Sequence, residues 1–127
     1  MFSIRFAQKE DLPKIKYIAK TCNISDFTNY NKEIYMISSI DENVFGFISL
    51  KLENGQAIIT KLVILPEYKD KGFENTMVRV ILNHALDMGF NKAFVDLPQY
   101  EKFFSNIGFR KIDKGQEVSL KDFFLEK

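Results

Sequence analysis

Lys69-Asp70-Lys71-Gly72 ends the seven-residue stretch between an apolar run that closes at Ile64-Leu65 and an amphipathic run that starts at Phe73. A strand that turns through glycine directly into a helix leaves the first backbone N–H groups of that helix unpaired, with about half a positive charge gathered there. Such a turn holds phosphate through backbone alone. Lys69 and Lys71 add side-chain charge of the same sign, and Phe73, Glu74 and Asn75 form the first helical turn. Glu74 reads two ways. In a first turn a carboxylate offsets the helix dipole by roughly 0.3–1 kcal/mol, but aimed into the turn it repels an anion.

Few other residues are equipped for chemistry. His84 and Cys22 are single in the chain, which excludes an internal disulfide and leaves no metal-ligand spacing. Both read as structural: His84 lies at the edge of a helical apolar stripe, and Cys22 is a small packing residue.

The elements that must position the turn follow from periodicity. Alternation over Ser3–Gln8 predicts a strand, and Leu12, Ile15, Ile18, Ala19 and Cys22, opened by Asp11 and Pro13, predict an amphipathic helix. After a polar loop at Asn23–Asn31 come three strands, Glu33–Ile40, Val44–Glu53 and Gln56–Ile64. Asp41-Glu42-Asn43 and Asn54-Gly55 join them as an antiparallel meander, the second turn being a strong hairpin signal. Met77, Val78, Ile81, Leu82, Ala85 and Leu86 then form one wide helical stripe that Gly89 ends. A strand at Lys92–Asp96, a short helix at Tyr100–Ile107 stopped by Gly108, and closing strands at Phe109–Asp113 and Glu117–Phe124 complete the order. The crossover helix makes Gln56–Ile64 and Lys92–Asp96 parallel, so the expectation is a mixed α/β sheet with helices on its faces.

Composition narrows the function classes. At 127 residues the chain is expected to be one domain spanning 1–127. Eighteen Lys and Arg face seventeen Asp and Glu without a basic cluster, which argues against nucleic acid. No membrane-length apolar run occurs and MFSIRFAQKEDL lacks a signal-peptide core, so no membrane partner is expected and the expected compartment is the cytoplasm. Thirteen Phe and five Tyr mostly suit a packed sheet, as at Phe45, Phe47, Phe94 and Phe109. Phe123 and Phe124, as strand neighbours, would face opposite sides, and one left exposed would support a homodimer, so monomer and homodimer both stay open.

The segment LVILPEYKDKG (62–72) resembles the acyl-CoA-binding loop of the GNAT superfamily of N-acetyltransferases, and YEKFFSNIGFRKI (100–112) resembles the closing motif of that family. The family loop reads Gln or Arg, two variable residues, Gly, one variable residue, then Gly or Ala. Lys69, Asp70, Lys71, Gly72, Phe73 and Glu74 occupy those places, with Gly72 identical. In the closing motif Phe103, Ile107, Gly108 and Phe109 match. The resemblance covers nearly the whole chain and implies a GNAT-like, mostly antiparallel twisted sheet of about seven strands. The family's second helix, which covers the acceptor, has little room in Asn23–Asn31.

What the resemblance implies for chemistry is attack of an amine, on a small molecule or a peptide, at the thioester of acetyl-CoA. Leu62, Val63 and Ile64 would lie along the pantetheine, the Ile64 N–H polarising the carbonyl, and Lys69 to Asn75 would hold the phosphates. The family's tyrosine acid is replaced by Phe104, and Tyr100, one helical turn earlier, is the substitute. Asp96, at a strand end, is the candidate base and equally a turn-capping carboxylate. Two readings remain open: an active acetyltransferase, and a catalytically silent member that senses CoA or binds a protein partner.

Overall fold

Strand length and turn chemistry build the sheet. In the computed structural model, which describes residues 1–24 and 32–125, seven strands form one sheet in the order β1-β2-β3-β4-β5-β7-β6. They are β1 (Phe2–Phe6), β2 (Ile34–Ile40), β3 (Asn43–Glu53), β4 (Gln56–Ile64), β5 (Lys92–Val95), β6 (Arg110–Lys111) and β7 (Gln116–Ser119). The two meander turns take the left-handed backbone expected of two-residue hairpin loops: Asp41 and Glu42 at φ 50° and 72°, Asn54 and Gly55 at φ 53° and 76°. β4 and β5 are the parallel pair; every other pairing is antiparallel.

Side-chain alternation sends successive residues of the central strands to opposite faces. Ile48, Leu50, Leu62 and Ile64 join the larger core with Met77, Val78, Ile81 and Leu82 of α2 (Phe73–Asp87). Phe47, Ile37, Tyr35 and Val63 join a smaller core with Ile15, Ile18 and Ala19 of α1 (Leu12–Thr21). The helices thus clamp β3 and β4 from both sides. The short helix α3 (Glu101–Asn106) adds Phe104, completely buried, to the larger core.

The sheet divides at one point. β4 pairs with β3 over Gln56–Ile64, but with β5 only at Ala57, Ile59 and the residue between them. The register against β3 places Ile59 opposite Leu50 and Lys61 opposite Ser49, so Thr60 is an extra residue, a bulge that bends β4 where β5 stops. Leu65 N–H donates to Phe45 O at 2.9 Å, which makes that pair hydrogen-bonded. Antiparallel alternation then turns the N–H and C=O of Ile64 and Leu62 away from β3, into the space β5 has vacated.

The chain's end departs from expectation. Glu117–Phe124 was expected as a strand, yet β7 stops at Ser119 and Leu120–Leu125 forms a helix, α4. Leu120 and Phe123 bury themselves at helical spacing, and Ser119 Oγ accepts from Asp122 N–H at 3.4 Å at the helix start. Ser119-x-x-Asp122 is a capping signature that outweighs the β-propensity of two phenylalanines. Phe123 is buried and Phe124 half-buried, with the Arg79 guanidinium 5.2 Å and 6.0 Å from their ring centres, so neither is an exposed strand residue. The expected strand Phe109–Asp113 is reduced to β6, and most of the Asn23–Asn31 loop lies outside the described residues.

One glycine marks how closely β3 and β4 approach beside the split. A Cβ on Gly46 would stand 2.9 Å from Val63 O and 3.1 Å from Ile64 Cγ1. Gly46→Ala is expected to lower unfolding stability by about 1–3 kcal/mol through overpacking, read from denaturant midpoints at unchanged slope. An unchanged midpoint would show that β4 yields freely there.

Candidate functional site

Downstream of the split, Pro66–Tyr68 makes one 3-10 turn and Lys69–Lys71 leads to Gly72, the N-cap of α2. Gly72 sits at φ 90°, a left-handed conformation that suits glycine. It carries no side chain to bond the first turn, and no side-chain cap is present. The first N–H groups of this 15-residue helix are therefore left for solvent or a ligand. Tyr68 stacks on Phe45, ring centres 4.2 Å apart, and Phe73 packs on Phe2 and Phe45 at 4.9 Å each. That aromatic cluster fixes the turn from beneath.

A groove of about 590 Å³ opens along this turn, lined by Lys69, Asp70, Gly72, Glu74 and Asn75 on one side and by Gln99, Tyr100 and Phe103 on the other. Five of the loop positions singled out from sequence therefore meet in one place. Lys71 is exposed and outside the lining, and the Phe73 ring serves the aromatic cluster. Glu74 is buried to 7% exposure and lines the groove, so its carboxylate faces the site rather than solvent.

Tyr100 ends the 3-10 turn Pro98–Tyr100 and caps α3. Its ring meets Phe103 and Phe104 edge-on at 5.9 Å and 6.4 Å. Burial pushes its hydroxyl up to about 12, with Glu74, Cys22 and Asp70 adding to the rise. Cys22, just past α1, donates to Ile64 O at 3.6 Å; burial raises its thiol, Glu67 adding to the rise and Lys69 opposing it. Tyr100, Cys22 and the Ile64 backbone are thus gathered around the opening between β4 and β5.

A second cavity, about 320 Å³, lies beside the unpaired stretch of β4. Its walls include Glu33, Lys51, Thr60, Lys61, Leu62, Val63, Leu97 and Gln99. Gln99 borders both spaces. Thr60 Oγ1 bridges Ser49 Oγ at 2.6 Å and Glu33 Oε1 at 2.8 Å, and Lys61 Nζ reaches the same Oε1 at 3.1 Å. Burial draws the Lys61 ammonium down, but hydrogen bonds to Tyr35 and Glu33 outweigh it and hold the group above its ordinary value. Asp96 lies elsewhere, in a cavity of about 370 Å³ with Glu101, Lys111, Asp113 and Lys114.

Sequence reasoning did not find Glu33, Thr60, Lys61 or Gln99. A signal existed for two of them. Thr60-Lys61 interrupts the apolar run Ala57–Leu65, and a cation in a strand covered on both faces needs a partner.

The sequence model of the Acetyltransferase (GNAT) family matches residues 3–109. The chain belongs to the GNAT acetyltransferase family. No curated protein matches it. Among solved structures, it resembles N-acetylglutamate synthase from Neisseria gonorrhoeae, complexed with coenzyme A and N-acetyl-glutamate, at TM-score 0.79 and 23% identity. That likeness covers 89% of this chain but only 29% of the synthase, so the chain spans under a third of that relative. A spermidine N-acetyltransferase variant from Vibrio cholerae superposes at TM-score 0.81 and 16% identity, covering 96% and 95% of the two chains. The PaiA N-acetyltransferase from Thermoplasma acidophilum, in complex with coenzyme A, gives 0.75 and 16%, covering 94% and 99%. At these identities the neighbours establish the fold. Among the described residues, no helix of this GNAT chain is long and apolar enough to cross a membrane.

Burial of Tyr100 makes a spectroscopic prediction. In an ultraviolet pH titration of this GNAT protein, Tyr100 is expected to ionise near pH 12 and Tyr35, which burial also raises, above its ordinary value, and Tyr100→Phe removes the step near 12. Because the raised value favours the neutral phenol, stability from this group is present below about pH 10 and lost as pH rises toward 12. Ionisation of every tyrosine near pH 10 would contradict the buried placement.

Proposed function

We propose that this protein is an acetyl-CoA-dependent N-acetyltransferase, a single acyl-CoA N-acyltransferase-like domain that passes an acetyl group to an amine by direct attack. The observation carrying the reading is the unpaired edge of β4 at Leu62 and Ile64 running into the uncapped start of α2. That arrangement suits one extended ligand with an amide-bearing arm and a polyphosphate head. The arm would lie along Leu62, Val63 and Ile64, its amides bonding to backbone that β5 leaves unpaired, while the Ile64 C=O already accepts from the Cys22 thiol. The head would rest on the N–H groups following Gly72, with Lys69 adding charge and Lys71 and Asn75 at the rim. The lone glycine at the helix start, without a Cβ at φ 90°, leaves room for the phosphate to approach the backbone.

In the proposed reaction the neutral amine attacks the thioester carbon, the carbonyl oxygen gains charge, and the Ile64 N–H stabilises it. The carbon–sulfur bond then breaks. Tyr100 stays protonated at neutral pH with a hydroxyl near 12, above a free thiol at about 8.5, so it donates a hydrogen bond to the departing sulfur rather than giving up its proton outright. Asp96 lies outside this groove, and the proposed reaction does not pass through it.

A second reading, a module of the same fold that senses CoA or binds a protein partner without turnover, is favoured by Glu74. Its carboxylate lines the space where a phosphate would sit. At an effective dielectric near 20, charges several ångströms apart interact by a few kcal/mol at most, so Glu74 weakens such a site without closing it.

Acetyl-CoA is expected to raise the unfolding temperature, a hundredfold excess over the dissociation constant adding about 2.7 kcal/mol. Glu74→Gln is expected to tighten binding about tenfold, and Tyr100→Phe to slow thiol release about tenfold with the acetyl-CoA affinity unchanged. Stabilisation by acetyl-CoA without thiol release from any primary amine would support the silent module. No stabilisation at millimolar acetyl-CoA would sink the enzyme and the CoA-sensing readings and leave the protein-partner module.

A further inference from the structure

The cavity beside β4 has a chemistry of its own. Glu33's side chain is 4% exposed and Lys61's 11%. Both bonds that Glu33 receives from described residues, from Thr60 and from Lys61, end on Oε1. Oε2 has no partner among the described residues. A carboxylate this buried normally has its acceptor sites filled, so Oε2 is suited to a donor arriving from the cavity.

Charge then selects the visitor. Lys61 neutralises Glu33, which leaves Lys51 as the surplus charge of the lining. Lys51 also stands 3.8 Å from Glu53, a loose pair with Lys51 a third and Glu53 half exposed, which a ligand anion can displace. A ligand bearing two or more cationic amines would set its second charge against these lysines. One bearing a single amine and a carboxylate meets opposite charge at both ends. At about 320 Å³ the cavity falls in the range for small ligands.

We propose that this cavity is the acceptor site and takes a small primary amine carrying a carboxylate, of the α-amino acid type, with Glu33 receiving the ammonium and Lys51 and Lys61 facing the carboxylate. This rests on the acyl-CoA reading of the neighbouring groove, which shares Gln99 with the cavity. Of the charged walls, Lys61 comes from the start of the unpaired β4 stretch, and Leu62 and Val63 continue that stretch toward Ile64, so an amine bound here has a short path to the thioester. The ammonium gives one proton to Glu33. The freed nitrogen pair forms the C–N bond, the C–S bond breaks with its pair going to sulfur, and the second nitrogen proton goes to that sulfur. Glu33 returns its proton to water, so the turnover releases the amide, free CoA thiol and one proton.

The test compares each proteinogenic α-amino acid with its primary amide, and with putrescine and spermidine, in thiol-release assays. The best amino acid is expected to exceed its amide at least tenfold in kcat/KM and to exceed both polyamines. Lys51→Met is expected to lower the acid-over-amide ratio several-fold. Glu33→Gln is expected to lower kcat/KM about a hundredfold near neutral pH, the deficit shrinking as pH rises toward the amine's own pKa, where no base is needed. Among the described residues, Lys61, Lys51 and Tyr35 are the titratable groups around Glu33, and Lys61 stays cationic through that range. A pH-independent deficit would assign Glu33 a structural role. Removing it strands the Lys61 charge, so the acid-over-amide ratio of the unaltered protein is the deciding quantity should Glu33→Gln fold poorly. Equal use of amide and acid, or preference for a polyamine, overturns the proposal. If acetyl-CoA fails to bind, thermal unfolding with the amino acids alone at millimolar concentration still decides it: stabilisation by an acid and not its amide supports the site, and none from any acid refutes it.

Discussion

The parallel pairing of β4 with β5 ends at Ile59, and everything proposed for the site depends on that ending. A central strand that loses its partner on one edge exposes backbone donors and acceptors, which is costly in a buried setting unless a ligand or water takes them. Here the bulge at Thr60 bends β4 away, and the short β5 stops at Val95, three residues before Pro98. Gly46 lets β3 follow β4 closely, so the bent strand stays supported on its other edge while this one stays open. The open edge is therefore held rigidly, in the manner of a preformed binding site.

Electrostatics at the two ends of the opening differ. The α2 end offers unpaired N–H groups and Lys69, tempered by Glu74 and Asp70. The same two carboxylates help keep Tyr100 protonated, so the arrangement that weakens an anion site also preserves a hydrogen-bond donor beside it. On the other side, Glu33 and Lys61 meet in a pair that is nearly fully buried and held by Thr60. A buried pair of this kind is weak evidence for stability, since desolvation offsets the attraction. Its position beside the opening gives a reason for it in recognition.

Much of this architecture was legible in the chain. The meander was marked by Asn54-Gly55, whose left-handed backbone the structure shows, and α2 by a stripe from Met77 to Leu86 that packs as expected. The loop from Lys69 to Asn75 was marked by its place between strand and helix, a local property. Failures arose where local and tertiary signals compete. Phe123 and Phe124 carry β-propensity, but the Ser119 cap and burial against α2 make that segment helical. The Glu33–Lys61 pair joins residues 28 apart, and no spacing rule brings the end of one strand onto the bulge of another. Asp96 shares its cavity with Asp113, Lys114 and Gly115 of the turn between β6 and β7, a placement that no local spacing sets.

The central claim is that one ligand lies along the open edge of β4 with its phosphates at the start of α2. Amide chemical-shift mapping of the isotope-labelled protein titrated with acetyl-CoA tests it most directly. The account predicts that the resonances of Leu62, Ile64 and Gly72 through Asn75 move together with a single saturation curve, while those of β1 stay in place. A titration that moves other amides and leaves Ile64 and Gly72 still, or that moves none at millimolar acetyl-CoA, would contradict it.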